Sequence, residues 1–164
     1  AIDRDGWFHT GDAGYLKDSH LYLTERIKDL FKTSNGKYIS PQALETKLAI
    51  DRYIDQIAVI ADERKFVSAL IVPVYGFVKD YAKEKGIAYS NMDELLQHPK
   101  IQALFRARID TLQQQFAHYE QVKRFTLLTE PFSMERGELT NTLKLKRSVV
   151  AKNYKGLIDK MYEE

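Results

Sequence analysis

Short apolar segments alternate with turn-forming segments in the first part of the chain. They are spaced as in antiparallel strands that are joined by tight turns. The apolar segments are residues 7–8, 15–16 and 21–23, and the turns between them are residues 11–14 and 17–20. We therefore expect a small β unit at the start of the chain.

A second hairpin and a helix are predicted directly downstream. Residues 30–32 and 37–39 flank Ser34-Asn35-Gly36, where asparagine and glycine tolerate the positive φ of a tight turn. Ser40 is a residue type that caps helix N-termini, and Pro41 suits the first helical position. The predicted helix has an apolar stripe formed by Leu44, Leu48 and Ala49.

The pattern then changes to longer runs that are rich in β-branched residues. Residues 57–60 and 66–74 are separated by the polar turn 62–65, which predicts a pair of antiparallel strands. A further strand is predicted at residues 125–128.

Helical periodicity dominates the remaining segments. Residues 77–85 fit a helix, Ser90 is the expected cap of a turn at 92–97, and Pro99 is expected to begin a longer helix. Apolar residues recur at helical spacing in that helix and at the C-terminus: Ile101, Leu104, Phe105, Ile109, Leu112 and Phe116, then Val150, Tyr154, Leu157, Ile158 and Met161. We expect an α+β fold with a central, mostly antiparallel sheet that is covered by helices.

Composition narrows the classes of function. The 164 residues are 44% hydrophobic and 29% charged, as in an ordinary globular domain with one core. The chain has no cysteine, and its four histidines lack the spacing of metal ligands, so we expect no metal site in it. A net charge of +2 without a clustered basic face argues against nucleic acid as a partner. No apolar run approaches the roughly 20 residues that cross a bilayer, and we expect a cytoplasmic protein.

Three short motifs carry candidate chemistry, although each has an ordinary structural interpretation. Thr10-Gly11-Asp12 can be a simple turn, and the charged segment 25–29 can be a solvated linker between strands. Lys144-Leu145-Lys146-Arg147 can be the solvated face that precedes an amphipathic helix. None of the three is specific by itself.

Together, in this order and spacing, the motifs resemble those of the adenylate-forming acyl-CoA synthetases. The similarity is greatest to the bacterial long-chain fatty-acid CoA ligases, over residues 6–45 and 138–147. The resemblance implies that residues 1–27 are the end of a large N-terminal adenylation domain. Residues 28–164 would then be the mobile C-terminal lid domain.

The same resemblance assigns roles to residues of the first two motifs. Asp12 and Arg26 match the contacts to the ribose of ATP, and Lys28 matches the hinge about which the lid rotates. Ser34, Asn35 and Gly36 match the loop that lines the tunnel for the pantetheine arm of CoA. A carboxylate can accept hydrogen bonds from both hydroxyls of a diol, which suits Asp12 to its implied role.

Lys144 matches the lysine that enters the active site during adenylation and bridges the carboxylate and the α-phosphate. A cation at about 4 Å stabilises the charge that gathers on the phosphate oxygens by about 4 kcal/mol. The chain departs from the family pattern nearby. Asn141 stands where long-chain members often have proline, and Thr142-Leu143 stand where many members have Ser-Gly.

The implied activity is that of a longer parent enzyme with ATP and Mg²⁺ as cofactors and CoA as co-substrate. It would convert a fatty acid to acyl-CoA, AMP and pyrophosphate through an acyl-adenylate. We expect the chain alone to be nearly inactive, and the parent to be cytoplasmic or peripheral at the inner membrane face. Two alternatives stay open: a non-catalytic module that binds CoA or a carrier protein, and an adenylate-forming ligase for another carboxylate.

Overall fold

The first hairpin lies at the start of a computed structural model that describes residues 2–163, without the side chains of Thr24, Glu25 and Lys28. Strands β1 (Asp12–Lys17) and β2 (His20–Arg26) pair antiparallel. Their turn places Asp18 and Ser19 at positive φ, the geometry that matches the twist of a two-residue hairpin. Phe8 only forms an isolated bridge with Ile2, so the apolar pair at 7–8 is not a strand of this hairpin.

The second hairpin and the first helix follow as predicted. Strands β3 (Phe31–Lys32) and β4 (Tyr38–Ile39) pair antiparallel, and helix α1 is Pro41–Leu48. The Ser40 hydroxyl accepts a hydrogen bond from the Ala43 N–H at 3.2 Å. The N-cap and the first-turn proline therefore fix where α1 begins.

The central sheet contains both strand orientations. Strands β5 (Ile54–Ile60) and β6 (Val67–Pro73) are antiparallel, whereas β7 (Val122–Leu127) runs parallel to β6. A parallel neighbour requires a long crossover. The crossover is supplied by the helices α2 (Tyr75–Glu84), α3 (Met92–Gln97) and α4 (Pro99–Leu112).

Helices cover both faces of this sheet. Residues of α1 to α4 pack with Ile57, Val59 and Ile71 on one face. The other face, with Ala58 and Leu70, packs against the C-terminal helices α5 (Arg147–Asn153) and α6 (Lys155–Tyr162). Strand β6 is buried along its whole length, as expected for a central strand covered on both sides. The predicted α+β fold is confirmed.

Side chains satisfy some of the backbone groups at both edges of the sheet. On β5, the Val59 N–H donates to the carboxylate of Glu45 at 2.8 Å. On β7, Gln113 accepts from the Val122 N–H at 2.8 Å, and Arg106 donates to the Val122 and Lys123 carbonyls. These four outward-facing backbone groups are therefore satisfied by side chains of the same chain.

Three details differ from the sequence prediction. Asn91, not Ser90, caps α3, because its side chain accepts from the Glu94 N–H at 2.9 Å. Helix α4 ends at Leu112, so Phe116 lies beyond it. The predicted C-terminal helical pattern is divided at Tyr154 into α5 and α6.

Candidate functional site

Asp12 and Arg26 meet at the open end of the first hairpin. They are direct partners in the register of β1 and β2, and the Arg26 Nε lies 3.6 Å from Asp12 Oδ1. The Arg26 side chain is largely exposed, whereas that of Asp12 is 30% exposed. The hairpin thus brings together the two residues that sequence matched to ribose contacts, with solvent access on the side of the guanidinium.

The turn before β1 holds the Asp12 backbone in place. The Thr10 hydroxyl accepts from the Asp12 N–H at 3.1 Å, and the Gly11 carbonyl accepts from the Ile27 N–H at 2.8 Å. Gly11 adopts φ +79°, a conformation that costs glycine little. The turn therefore fixes Asp12 beside the chain that leaves β2.

The predicted hinge Lys28 lies in a single 3₁₀ turn, Ile27–Asp29. The residues on either side, Arg26 and Leu30, are extended, and the Leu30 N–H donates to the Ile27 carbonyl at 3.3 Å. The Lys28 side chain is outside the described part of the structure. A one-turn link between two extended residues is a suitable place for a change in φ and ψ.

The Ser34-Asn35-Gly36 loop is exposed at its tip and held at its base. The Thr33 N–H donates to the Lys37 carbonyl at 2.9 Å, and Gly36 at φ +74° donates to the Thr33 carbonyl at 2.8 Å. The Ser34 N–H donates to the Arg64 carbonyl at 3.1 Å, which links the loop to the turn between β5 and β6. An exposed tip on a fixed base suits a loop that meets a ligand.

Lys144 lies in a tight loop that closes on itself. Leu139 and Leu145 form an isolated antiparallel bridge, and the Thr140 N–H donates to the Lys144 carbonyl at 2.8 Å. The Thr140 hydroxyl accepts from the N–H groups of Lys144 and Thr142, at 3.1 and 3.3 Å. The Lys144 side chain is exposed. We call residues 139–145 the lysine loop.

An ion pair between Arg147 and Glu45 holds the C-terminal side of the lysine loop. The two Arg147 Nη atoms lie 2.5 and 2.6 Å from the two Glu45 carboxylate oxygens. Both side chains are mostly buried, and the guanidinium lies over the ring of Phe31 at 5.5 Å. The start of α5 is therefore attached to α1, the helix that follows the Ser34–Gly36 loop.

A buried carboxylate holds the other side of the lysine loop. Glu138 is fully buried and accepts hydrogen bonds from Arg136, Asn153 and the Ser133 N–H, at 3.0 to 3.2 Å. Burial alone would raise the pKa of Glu138. The hydrogen bonds from these three donors outweigh it, so the pKa of the carboxyl lies below its usual value.

The contacts of Glu138, Glu45 and Arg147 are not apparent from the sequence pattern. The available signal was weak. Glu138 directly precedes the apolar Leu139, and Glu45 directly follows the apolar Leu44 of the α1 stripe. An apolar neighbour in sequence does not show that a charged residue is buried, because adjacent side chains point in different directions, so these pairs could not be identified without the fold.

An open cleft of about 590 Å³ lies between the hinge turn and the lysine loop. Its lining includes Asp29, Phe31, Glu45, Lys144 and Arg147. The hydrogen bonds and ion pairs of residues 2–163 do not join Lys144 to Asp12 or Arg26. The ribose-contact candidates and the catalytic candidate are therefore not joined by polar contacts, and the hinge turn lies between them in the chain.

Within the described residues, no group of three or more His, Cys, Asp or Glu side chains is arranged to hold a metal ion. The helices of the same part of the chain are too short or too polar to cross a bilayer.

The chain is similar to curated long-chain acyl-CoA synthetases over nearly all of its length. It is 35% identical to peroxisomal long chain acyl-CoA synthetase 7 of Arabidopsis thaliana, over 99% of the chain. It is 36% identical to long-chain-fatty-acid–CoA ligase 5 of Rattus norvegicus, also over 99% of the chain. The chain spans only 24% of the length of each of these relatives.

A solved structure supports the fold independently. The adenylation domain of a carboxylate reductase from Mycobacterium chelonae superimposes with a TM-score of 0.78 at 24% identity, and the match covers 99% of this chain and 24% of that one. The family model described as the AMP-binding enzyme C-terminal domain matches residues 28–164. The chain therefore belongs to the AMP-binding, adenylate-forming enzymes and includes their C-terminal domain.

Proposed function

We propose that this chain is the C-terminal part of an ATP-dependent long-chain fatty acid:CoA ligase. The observation that carries the proposal is the pairing of Asp12 with Arg26 across β1 and β2, at 3.6 Å. The hairpin register places the two candidate ribose contacts directly opposite each other. The curated long-chain synthetases supply the class of acid, because their similarity covers 99% of the chain.

In the proposed enzyme, Asp12 accepts hydrogen bonds from the two ribose hydroxyls of ATP. Arg26 holds the carboxylate in position, and its exposed guanidinium donates to the nucleotide. The phosphates of ATP would hold Mg²⁺, because Mg²⁺ commonly takes substrate phosphates as ligands, and the ion would supply charge neutralisation there.

Lys144 acts in the first half-reaction. A carboxylate oxygen of the fatty acid attacks the α-phosphorus, and the bond to pyrophosphate breaks, which yields the acyl-adenylate. The Lys144 ammonium stabilises negative charge on the phosphate oxygens in the transition state. At about 4 Å the interaction contributes about 4 kcal/mol, which corresponds to a roughly several-hundred-fold rate effect.

The second half-reaction uses the loop formed by Ser34, Asn35 and Gly36. Rotation at Lys28 withdraws the lysine loop and brings Ser34, Asn35 and Gly36 toward the active site. The CoA thiolate attacks the acyl carbonyl, and AMP leaves. Because Gly36 has no side chain, backbone can approach the narrow pantetheine arm closely. The chain alone lacks the rest of this site and is nearly inactive.

The test is carboxylate-dependent ATP–pyrophosphate exchange by the full-length enzyme with fatty acids of several chain lengths. Lys144→Ala should lower exchange at least a hundredfold, while formation of acyl-CoA from supplied acyl-adenylate and CoA persists. Lys146→Ala is the matched control, because it removes an exposed cation two residues away. It should retain exchange within about threefold of wild type.

The outcome decides between the three candidate functions. Exchange with long-chain acids that depends on Lys144 supports the proposal. Exchange only with another carboxylic acid would support the proposed mechanism but show that the substrate is not a long-chain fatty acid. Absence of exchange with every acid contradicts the proposal and favours a binding module for CoA or a carrier protein.

A further inference from the structure

Glu138 directly precedes the lysine loop, and its ionised carboxylate is buried. Its two carboxylate oxygens receive three donors from two segments: the Ser133 N–H and the Arg136 guanidinium of the preceding turn, and the Asn153 amide of α5. An ionised carboxylate without such partners would be expensive to bury. With them, it fixes residue 138 relative to both the preceding turn and α5.

The backbone of Glu138 connects this network to the lysine loop. The Glu138 carbonyl accepts from the Lys146 N–H at 2.8 Å, next to the bridge between Leu139 and Leu145. The following hydrogen bond joins the Thr140 N–H to the Lys144 carbonyl, also at 2.8 Å. These backbone hydrogen bonds pair residues 138–140 with residues 144–146. A displacement of Glu138 would therefore also displace the backbone of Lys144.

The exposed end of the loop cannot fix the lysine by packing. Asn141, Thr142, Leu143 and Lys144 are all exposed. The position of the Lys144 backbone depends on hydrogen bonds that run back to Thr140 and to the bridge. Transition-state stabilisation by a charge requires placement within a fraction of an ångström to about one ångström, so the base of the loop matters for the rate.

We propose that Glu138 is a positioning residue for Lys144: its buried carboxylate holds the base of the lysine loop so that the ammonium reaches the α-phosphate. The proposal rests on the adenylation function proposed above. Glu138 does not touch substrate. It acts through the loop, in the first half-reaction only.

The test compares both half-reactions in the full-length enzyme and in Glu138→Gln. Glutamine keeps the shape of the side chain but loses the charge that attracts Arg136. We expect ATP–pyrophosphate exchange to fall about tenfold, with the KM for ATP unchanged. Formation of acyl-CoA from supplied acyl-adenylate should stay within about twofold of wild type, because Lys144 has no role in that step.

A matched control is available in Glu130→Gln. Glu130 pairs with the same guanidinium, with Arg136 Nη1 at 3.3 Å from Glu130 Oε2, but its side chain is 73% exposed. This variant also removes a negative charge near Arg136, and it should leave both half-reactions unchanged. Equal loss in Glu130→Gln and Glu138→Gln would overturn the proposal.

A second variant keeps the proposal testable if Glu138→Gln does not fold. Asn153→Ala removes one hydrogen bond to Glu138 and retains the ion pair, and we expect a two- to threefold loss confined to exchange. Equal loss in both half-reactions, or no loss in folded Glu138→Gln, would overturn the positioning role. If wild type itself shows no exchange, the proposed function fails and the positioning role fails with it.

Discussion

At the scale of single residues, one position of the lysine loop has a backbone conformation that does not suit its side chain. Leu143 adopts φ +61°, a conformation that disfavours a residue with a Cβ, and its side chain is 67% exposed. The strain is therefore not compensated by burial. It explains why glycine suits this position in members of the family that have Ser-Gly before the lysine.

Replacement of Leu143 by glycine should stabilise the chain. The left-handed conformation costs a residue with a Cβ about 1–2 kcal/mol, and glycine gives back about 0.5–1 kcal/mol through the entropy of the unfolded chain. We expect Leu143→Gly to be about 1 kcal/mol more stable than Leu143→Ala, which keeps the strain. Urea denaturation of both variants measures this difference, and an alanine variant of equal or greater stability would contradict it.

The buried Glu138 predicts a pH dependence of stability. Its pKa is lower in the folded protein than in the unfolded one, so the ionised form stabilises the fold at pH values above the usual pKa of 4.5. This contribution is lost as the pH falls from there through the folded pKa. Wild type should therefore exceed Glu138→Gln in free energy of unfolding at pH 7, and the difference should shrink below pH 4.5.

The comparison is made by denaturation of both variants over the acid range. Other carboxyl groups titrate alike in the two proteins, so their contributions largely cancel in the difference. A difference in free energy of unfolding that stays constant down to pH 3 would show that protonation of Glu138 does not affect the stability of the fold.

At the scale of elements, the sequence predicts where helices begin better than where they end or which elements they pack against. Ser40-Pro41 and Pro99 specify helix starts by chemistry that acts within one turn. Ser90 and Asn91 are both good caps, and the sequence alone could not choose between them. In the structure Asn91 is extended at φ −150° and ψ 172° and makes the cap hydrogen bond.

The choice of cap can be measured. Asn91→Ala should lower the free energy of unfolding by about 1 kcal/mol, because the Glu94 N–H loses its acceptor. Ser90→Ala should change it by less than about 0.5 kcal/mol, since only the Ser90 N–H takes part in a hydrogen bond, with Glu94. A larger loss in Ser90→Ala than in Asn91→Ala would reverse the assignment.

Features that depend on distant residues were beyond the sequence pattern. The strands β5 and β6 were predictable from β-branched runs joined by a short turn. The parallel pairing of β7 with β6 depends on the path of residues 74–121, which connect the two strands. The periodicity of the sequence does not predict that path. For the candidate site, the motifs predicted Asp12, Arg26 and Lys144 and these roles stay predictions, whereas the pairs Glu45–Arg147 and Arg136–Glu138 required the fold.

At the scale of the whole molecule, the two buried clusters consist of residues from 39 onward. Large apolar side chains of the first 27 residues are instead exposed, among them Trp7 at 73% and Leu16 at 76%. Such an apolar surface is unusual for a self-contained unit. It agrees with the proposal that this β unit belongs to a larger adenylation domain.

Residues 28–164 should consequently fold without the β unit. We expect removal of residues 1–27 to change the free energy of unfolding by less than about 1 kcal/mol, because neither buried cluster loses a member. Thermal and urea unfolding followed by far-UV circular dichroism measure the change. Loss of a cooperative transition in the shortened chain would contradict the division at residue 28.

The side chains at the edges of the sheet have a consequence for behaviour at high concentration. An open strand edge recruits strands from other molecules and starts aggregation. Glu45 occupies the edge of β5, and Gln113 with Arg106 occupies that of β7. The carboxylate that anchors Arg147 beside the lysine loop also occupies the Val59 N–H. Loss of Glu45 would therefore free one donor at the β5 edge for pairing with another molecule, as well as displace the loop.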